Sequence, residues 1–378
     1  MNPHHYSACP ICSQRGLSMI ELMVAMTIGA VLIFGATQVF VNSQKSYGVS
    51  ESVSRLQETA RYAMSVIEPD IRMANYWGLL KTPGAVINSA TQAVAPGAVA
   101  PGAAANVCGN NFVLDVTTSL QGDNNQYVLS ATRQAGCNAV TDLNTGLVWN
   151  TVPVTTADTL TLRRASVFVN TLPFAPGVIM VCSTQFLANL FSNGGAGTAC
   201  NPGSASAEAH NLIVDAYYVD RNSAQAANRP SLRRKTLAMA GGLPQVRDQE
   251  IIPGIEDLQI QFGVEPAPVA PATYTGVATQ YINPPGVAGL PLGAQIVSVR
   301  IWLLVYADTP EAGFTDTRVY EYGDRLQATG VTGDLNSAAG AGMAYQPSSN
   351  PDASFNGPQH RRRLLISRTI QIRNALGT

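Results

Sequence analysis

The stretch that decides the fold is Arg15–Val41, RGLSMIELMVAMTIGAVLIFGATQVFV. A polar leader ends at Arg15 and Gly16, and an apolar segment begins directly after it. The segment carries one charge, Glu21, and no side chain from Leu22 to Gln44 is ionisable. Because about 20 apolar residues are enough to cross a bilayer, this pattern predicts a membrane-spanning helix.

The position of Glu21 is the second unusual feature of this stretch. An acidic group at membrane depth costs about 2.5–3.5 kcal/mol on insertion scales, so it needs a positive partner. A secretory signal has a shorter apolar region with its cleavage site after it. Here the cleavage-like junction follows Gly16 and precedes the apolar segment. Cleavage there would keep the helix and create a positive charge near Glu21, the α-amino group of Leu17.

This arrangement resembles the class III signal of type IV prepilins and pseudopilins. The resemblance implies that a peptidase cleaves after Gly16 and methylates Leu17, and that Glu21 meets the terminal amine of a neighbouring subunit during assembly. The family usually has phenylalanine where this chain has Leu17, and leucine keeps the position apolar. The alternative is an ordinary single-span anchor that contains a glutamate.

Five later blocks resemble the PilW type of minor pilin: Asp70–Ala74 with Tyr76, Ser231–Arg234, Ile252–Gly263, Val299–Leu304 and Arg361–Asn374. The resemblance implies a low-abundance subunit that helps to start pilus assembly and sits at or near the pilus tip. Its implied partners are other minor pilins, the major pilin, the prepilin peptidase and often a large tip adhesin. Its implied location is the inner membrane, with the head in the periplasm, and then the pilus tip at the cell surface.

Composition agrees with an anchored globular protein. The chain has 378 residues, of which 46% are apolar and 12% are charged. This apolar content can build a core, while the charged fraction is low for a cytosolic enzyme. The net charge of -1 gives no electrostatic footprint for nucleic acid, so we expect no nucleic-acid partner.

The cysteines fall into two groups. Cys9 and Cys12 form a CxxC in the leader, near His4 and His5, which is a weak metal signal without a second ligand pair. Four more lie beyond the membrane segment, an even number that suits disulfides in an oxidising compartment such as the periplasm. They allow three connectivities. We expect pairing of neighbours because each bond would close a loop containing Gly and Asn, with four free thiols as the alternative: Cys108–Cys137 and Cys182–Cys200.

The helix is predicted to continue beyond the membrane segment. Pro69 lacks an N–H and should kink or end the helix near Ile67. The domain boundaries that follow are a leader at 1–16, a transmembrane and assembly helix at 17–44, an amphipathic half at 45–77 and a periplasmic head at 78–378. The amphipathic half is predicted from an apolar stripe at helical spacing, formed by Val49, Val53, Leu56, Ala60, Ala63, Ile67, Ile71 and Ala74.

Beyond Trp77 the pattern changes to short strand-like runs between loops rich in Gly, Pro and Ala, the loops being Lys81–Asn106, Glu265–Gly293 and Ala328–Gln359. The fold class is therefore α+β, with the long N-terminal helix packed on an antiparallel β-sheet head, as in type IV pilins. The predicted strands are Phe112–Thr117, Thr159–Val169, Val178–Cys182, Leu212–Val219, Ile255–Val264, Ile296–Tyr306, Arg318–Tyr322 and Leu364–Ile372.

No catalytic motif is present, and we expect no cofactor, no metal and no enzymatic activity. The basic runs Arg233–Lys235 and Arg361–Arg363 are expected to be solvated or paired within the domain. Glu256 and Asp257 are adjacent on a strand and should point to opposite faces, which favours structural roles. Three functions remain as alternatives: a minor pseudopilin of a type II secretion system, a membrane-tethered periplasmic enzyme, and a receptor-binding adhesin with its specificity in the loops.

Overall fold

The chain divides into two compact units, Met1–Glu51 and Ser52–Thr378. A computed structural model describes residues 16, 18–81, 86–87, 112–127, 129, 139–142, 148–150, 152–154, 156–175, 177–192, 200, 206–224, 229–240, 242–270, 272–285, 290–311, 314–324 and 360–374.

One long helix, α1, covers Met19–Arg72. It begins where the polar leader ends, and it is long and apolar enough to cross a membrane. Glu21 in its first turn and Arg72 in its last turn have the charges that the helix macrodipole favours at those ends. The long N-terminal helix predicted from the sequence is therefore confirmed.

The end of α1 corrects one of the two outcomes expected from Pro69, which were a kink and a helix end near Ile67. The helix does not end near Ile67 but continues through Pro69 to Arg72. Proline removes only one N–H from the ladder, and the next turn is held from outside, because Ile71 is fully buried and the Asp70 carboxylate accepts a hydrogen bond from Arg164 at 2.7 Å. The chain then leaves the helix through a left-handed residue at position 75, an asparagine with φ 63°.

Fourteen strands lie in the described part of the chain. Their bounds are β1 Val86–Ile87, β2 Leu120–Asp123, β3 Ala139–Asp142, β4 Val148–Asn150, β5 Thr159–Asn170, β6 Ile179–Ser183, β7 Ala188–Ser192, β8 Glu208–Asp220, β9 Ser231–Ala240, β10 Leu243–Pro253, β11 Ile255–Glu265, β12 Gln280–Ile282, β13 Gln295–Tyr306 and β14 Arg363–Gln371.

The strands form two sheets. The larger has the order β1-β7-β6-β8-β9-β10-β3-β4, and β5 pairs with both β2 and β8. The smaller has the order β12-β11-β13-β14. Pairing is antiparallel except for β1 with β7 and β3 with β10. The predicted α+β class with an antiparallel head is confirmed, but there are two sheets where the sequence suggested one.

The core joins the second half of α1 to both sheets. Its members in α1 include Leu56, Ala60, Ala63, Ile67 and Ile71, and Ala74 follows just after the helix, which confirms the predicted stripe from residue 56 onward. The same cluster includes side chains from β2, β5, β8 and β9 of the larger sheet and from β11, β13 and β14 of the smaller one. A second apolar cluster contains Trp77 and side chains from strands of the larger sheet, such as Val181.

Two predicted strands are wrong. Phe112–Thr117 forms turns, although Phe112, Val113, Leu114 and Val116 are all buried. Arg318–Tyr322 contains isolated bridge residues and no strand. A short apolar run indicates burial, but without a period it does not identify the backbone conformation. Of the predicted loops, Glu265–Gly293 contains β12, while Ala328–Gln359 lies outside the described residues.

Candidate assembly site on the N-terminal helix

The first turn of α1 is closed by a reciprocal pair of hydrogen bonds. The Ser18 N–H donates to Oε2 of Glu21 at 3.0 Å, and the Ile20 N–H donates to Oγ of Ser18 at 3.3 Å. This S-x-x-E arrangement is a capping box, in which each side chain satisfies a backbone donor that the helix leaves free. Glu21 is thus held at the start of the helix, three residues after Ser18.

An apolar surface extends from the first turn of α1 to Val41. Two hydroxyl groups within it bond to their own helix, Thr27 Oγ1 to the Val24 carbonyl at 2.9 Å and Thr37 Oγ1 to the Ile33 carbonyl at 2.8 Å. Its exposed large side chains are Met19, Ile20, Leu22, Met23, Val24, Met26, Ile28, Val31, Leu32, Ile33, Phe34, Val39, Phe40 and Val41.

This surface is suited to an apolar environment. All of its backbone groups after the first turn are bonded within the helix, which is what a bilayer core demands. A soluble monomer rarely exposes so large a continuous apolar surface. The segment therefore needs either lipid or the helices of other subunits, and Glu21 is its one carboxylate.

The second half of α1 carries a different carboxylate, Asp70, which is buried. Tyr217 donates a hydrogen bond to Oδ2 of Asp70 at 2.5 Å, and Arg164 donates to Oδ1 at 2.7 Å. Nη1 of Arg234 lies 3.8 Å from Asp70 and 3.7 Å from Asp215. We call Asp70, Arg164, Asp215, Tyr217 and Arg234 the Asp70 cluster.

Burial dominates the electrostatics of this cluster. It raises the pKa of Asp215 to about 6, although the neighbouring Arg234 acts in the opposite direction. Burial also raises the pKa of the Tyr217 phenol, so this hydroxyl remains a hydrogen-bond donor at neutral pH. The cluster fastens the last turn of α1 to the larger sheet.

The end of the chain binds the same turn from the other side. The Arg373 N–H donates to the Arg72 carbonyl at 3.1 Å, and Nδ2 of Asn75 donates to the Asn374 carbonyl at 2.7 Å. Glu68 forms ion pairs with Arg72 and Arg368. The hydrogen bond from Arg368 is the largest cause of the lowered pKa of Glu68.

The predicted site residues have the following positions. Gly16 is exposed just before α1, and Leu17 lies outside the described residues. Cys182 and Cys200 are joined by a disulfide with Cα atoms 5.4 Å apart. Cys108 and Cys137 lie outside the described residues.

The charged runs that the sequence analysis set aside are paired within the head. Arg233 forms an ion pair with Asp248, Arg362 with Glu311, and Arg363 with Glu256. Their structural assignment is confirmed. Glu256 and Asp257 also have partners within the head, which agrees with the structural roles expected for them. Glu256 pairs with Arg363, whereas Asp257 accepts a hydrogen bond from Tyr322 at 2.7 Å.

Sequence reasoning missed three contributors. Ser18 could have been found, because the spacing Ser18–Glu21 is that of a capping box. Arg164 and Tyr217 could not, because they lie 94 and 147 residues from Asp70 along the chain. The only local signal was an aspartate on an otherwise apolar helical stripe.

Comparison with known proteins agrees with this geometry at both ends of the chain. Residues 11–37 match the profile described as the prokaryotic N-terminal methylation motif, and residues 216–374 match the family described as type IV pilus-assembly protein W, PilW. No curated protein sequence matches the chain. Among solved structures, a type IV-like pilin, TTHA1219 from Thermus thermophilus, aligns with 12% identity and a TM-score of 0.24, over 60% of this chain and 84% of that one.

A methylation motif at the start of a long apolar helix, followed by a β-rich head, defines a type IV pilin-like protein. The PilW match covers residues 216–374 within the head and, together with the methylation motif, supports a PilW-type minor pilin of type IV pili. Proteins of the pilin family and fold have structural roles.

Proposed function

We propose that this minor pilin helps to initiate assembly of the type IV pilus and lies at or near the pilus tip. The observation that carries the proposal is one carboxylate, Glu21, in the first turn of an exposed apolar helix that bears a methylation motif. A prepilin peptidase removes residues 1–16 and methylates the new N-terminus at Leu17. The helix holds the subunit in the inner membrane, with the head in the periplasm.

The mechanism follows from the electrostatics of Glu21. In the bilayer its carboxylate bears a desolvation cost of about 2.5–3.5 kcal/mol, which the hydrogen bond from the Ser18 N–H offsets only in part. Cleavage supplies an ammonium group at Leu17, and such a group on a neighbouring subunit neutralises Glu21. Apolar helix faces then leave the lipid and pack against the helices of other subunits. This exchange changes the hydrophobic free energy little, so packing and the ion pair favour the assembled state.

The head supplies surfaces for other minor pilins, for the major pilin and for a tip adhesin, and it has no enzymatic role. Its rigid attachment to residues 52–72 of α1 supports this assignment. The Asp70 cluster and the contacts of Arg373 and Asn374 fix the helix end to the sheets. A force applied to this part of the helix is therefore carried directly into the head.

The decisive experiment is mass spectrometry of the protein recovered from sheared pili. We expect a mature N-terminus at methylated Leu17 and an amount far below that of the major pilin. A protein that retains residues 1–16 in the filament would overturn the proposal. A deletion strain separates the pilus from a secretion system, because loss of pili and twitching supports the proposal and loss of exoprotein secretion alone contradicts it.

A further inference from the structure

Lys235 and Asp248 form an unusual pair inside the larger sheet. Both side chains are buried, with 1% and 0% of their area exposed, and Nζ of Lys235 lies 3.3 Å from Oδ2 of Asp248. The two residues are direct partners in the antiparallel β9–β10 ladder. Directly opposed side chains project from the same face of a sheet, so the ladder itself holds the amine beside the carboxyl group.

The carboxyl group of Asp248 is polarised by two further donors. Nε of Arg233 donates to Oδ1 at 2.6 Å, and the Tyr218 hydroxyl donates to Oδ2 at 2.5 Å. Fixed donors of this kind stabilise negative charge on an oxygen when a nucleophile adds to the carbon. Arg233 is therefore placed to stabilise a tetrahedral oxyanion on Oδ1, and Tyr218 is placed to pass a proton to Oδ2.

The surroundings favour the reactive form of the amine. Burial lowers the pKa of Lys235, which increases the fraction of neutral, nucleophilic amine. The Tyr218 ring lies beside this amine, with its centroid 5.5 Å from Nζ. The charged groups around the pair are Arg233, Glu250 and Asp220.

We propose that Lys235 and Asp248 condense to form an intramolecular isopeptide bond between β9 and β10. The Lys235 ammonium first transfers a proton to the Asp248 carboxylate, which gives an amine and a carboxylic acid. The lone pair of Nζ attacks Cγ, and the N–C bond forms with an oxyanion on Oδ1. The C–Oδ2 bond then breaks, and Oδ2 leaves as water with the carboxyl proton and a proton lost from Nζ, relayed by Tyr218. An ammonium and a carboxylate thus become an amide and water, with no other reactant.

The charge balance of the site supports this reaction. Buried ions carry a desolvation penalty that their mutual attraction does not always repay. Condensation removes one cation and one anion from a site that excludes solvent. Arg233 then keeps a counter-ion, because its Nη1 also lies 3.5 Å from Oε2 of Glu250. The product would be a covalent link between β9 and β10, in addition to the disulfide that joins Cys182 of β6 to Cys200 in the described part of the chain.

The test is a mass measurement on the full chain purified from membranes and reduced. We expect the polypeptide to be lighter by the mass of one water than the mass calculated for the chain with its observed N-terminus and methylation. Trypsin should leave the bond after Lys235 intact, and peptide mapping should yield a branched peptide that joins Lys235 to Asp248. A wild-type protein with the unmodified mass, or with linear peptides cleaved after Lys235, would overturn the proposal.

Two variants test the chemistry separately from the folding of the site. Asp248→Asn presents an amide, so its condensation should release ammonia in place of water, and the mass should fall by one ammonia. Lys235→Arg keeps the positive charge but lacks the amine, and it should have the mass calculated for its processed chain with no loss of water. If a variant fails to fold, the wild-type measurement still decides, because it requires no substitution.

Discussion

The two halves of α1 share one helical geometry and differ in what covers their apolar side chains. Between Met19 and Val41 the large hydrophobic side chains are exposed. Between Leu56 and Ile71 the inward-facing side chains are buried against both sheets. The second half finds its partner within the same chain, whereas the first half requires another molecule. The second half of α1 therefore takes part in folding of the subunit, and the first half remains available for its assembly.

Two acidic groups, Asp70 in the second half and Glu21 in the first, differ in the same way as the apolar side chains. Asp70 is surrounded by cationic and phenolic donors from β5, β8 and β9. Glu21 has a hydrogen bond from the backbone of its own helix start. An acid on the buried face is thus neutralised during folding, while an acid on the exposed face is left for an intermolecular partner.

The largest effect is expected from Asp70→Leu, which removes the acid of the folded half. Arg164 and Arg234 would then lie largely buried without this counter-ion, so the free energy of unfolding should fall by about 3–5 kcal/mol. Chemical denaturation of the full chain in detergent measures this loss. The matched control is Glu68→Gln two residues away, whose arginine partners are about half exposed, and it should cost less than about 1 kcal/mol. Equal losses in both variants would show that the Asp70 cluster does not fasten the helix.

Removal of the acid from the exposed half should have no such effect on folding. Glu21→Ala eliminates a desolvation cost of about 2.5–3.5 kcal/mol in the membrane, so insertion should be unchanged or improved. Incorporation into pili should be impaired because the ion pair with the neighbouring amine is lost. Immunoblots of membranes and of sheared pili measure the two steps separately. Glu58→Gln, an exposed acid outside the apolar segment, is the control, and normal piliation in Glu21→Ala would contradict the mechanism.

A smaller substitution compares the two apolar surfaces directly. Ile67 is fully buried, whereas Ile28 is 55% exposed. Ile67→Val should lower the free energy of unfolding of the head by about 1.5 kcal/mol, because a methylene is lost from a packed core. Ile28→Val should leave unfolding unchanged and act only on incorporation into pili. The same denaturation series on both variants measures the difference, and a loss of stability in Ile28→Val would mean that the first half also packs within the subunit.

The sequence was sufficient to predict those elements whose pattern lies within one short stretch of the chain. The start of α1, its apolar stripe and strands such as β11 and β13 follow from apolar runs and spacing. β9 was missed because its sequence, SLRRKTLAMA, has the charge of a surface strand. Arg233 and Lys235 are nevertheless buried, since Asp248 on β10 neutralises both of them. Because of such pairing between strands, charged side chains that are usually exposed become buried. The sequence of one strand cannot predict this, because the neutralising residue lies on another strand.

The smallest effect concerns pH and the Asp70 cluster. Burial raises the pKa of Asp215 to about 6 in the folded protein, against about 3.9 in an unfolded chain. The folded state thus binds the proton more tightly, so this group costs no stability below about pH 4 and its full cost above about pH 6. Asp215→Asn should therefore gain stability relative to the wild type as pH rises through this window, by on the order of 1 kcal/mol for each pH unit. Denaturation curves from pH 4 to 7 measure the difference, which the exposed-acid control Glu58→Gln should not show. A difference that is flat across this window would mean that Asp215 is already ionised at pH 4, and that the arginines of the Asp70 cluster outweigh its burial.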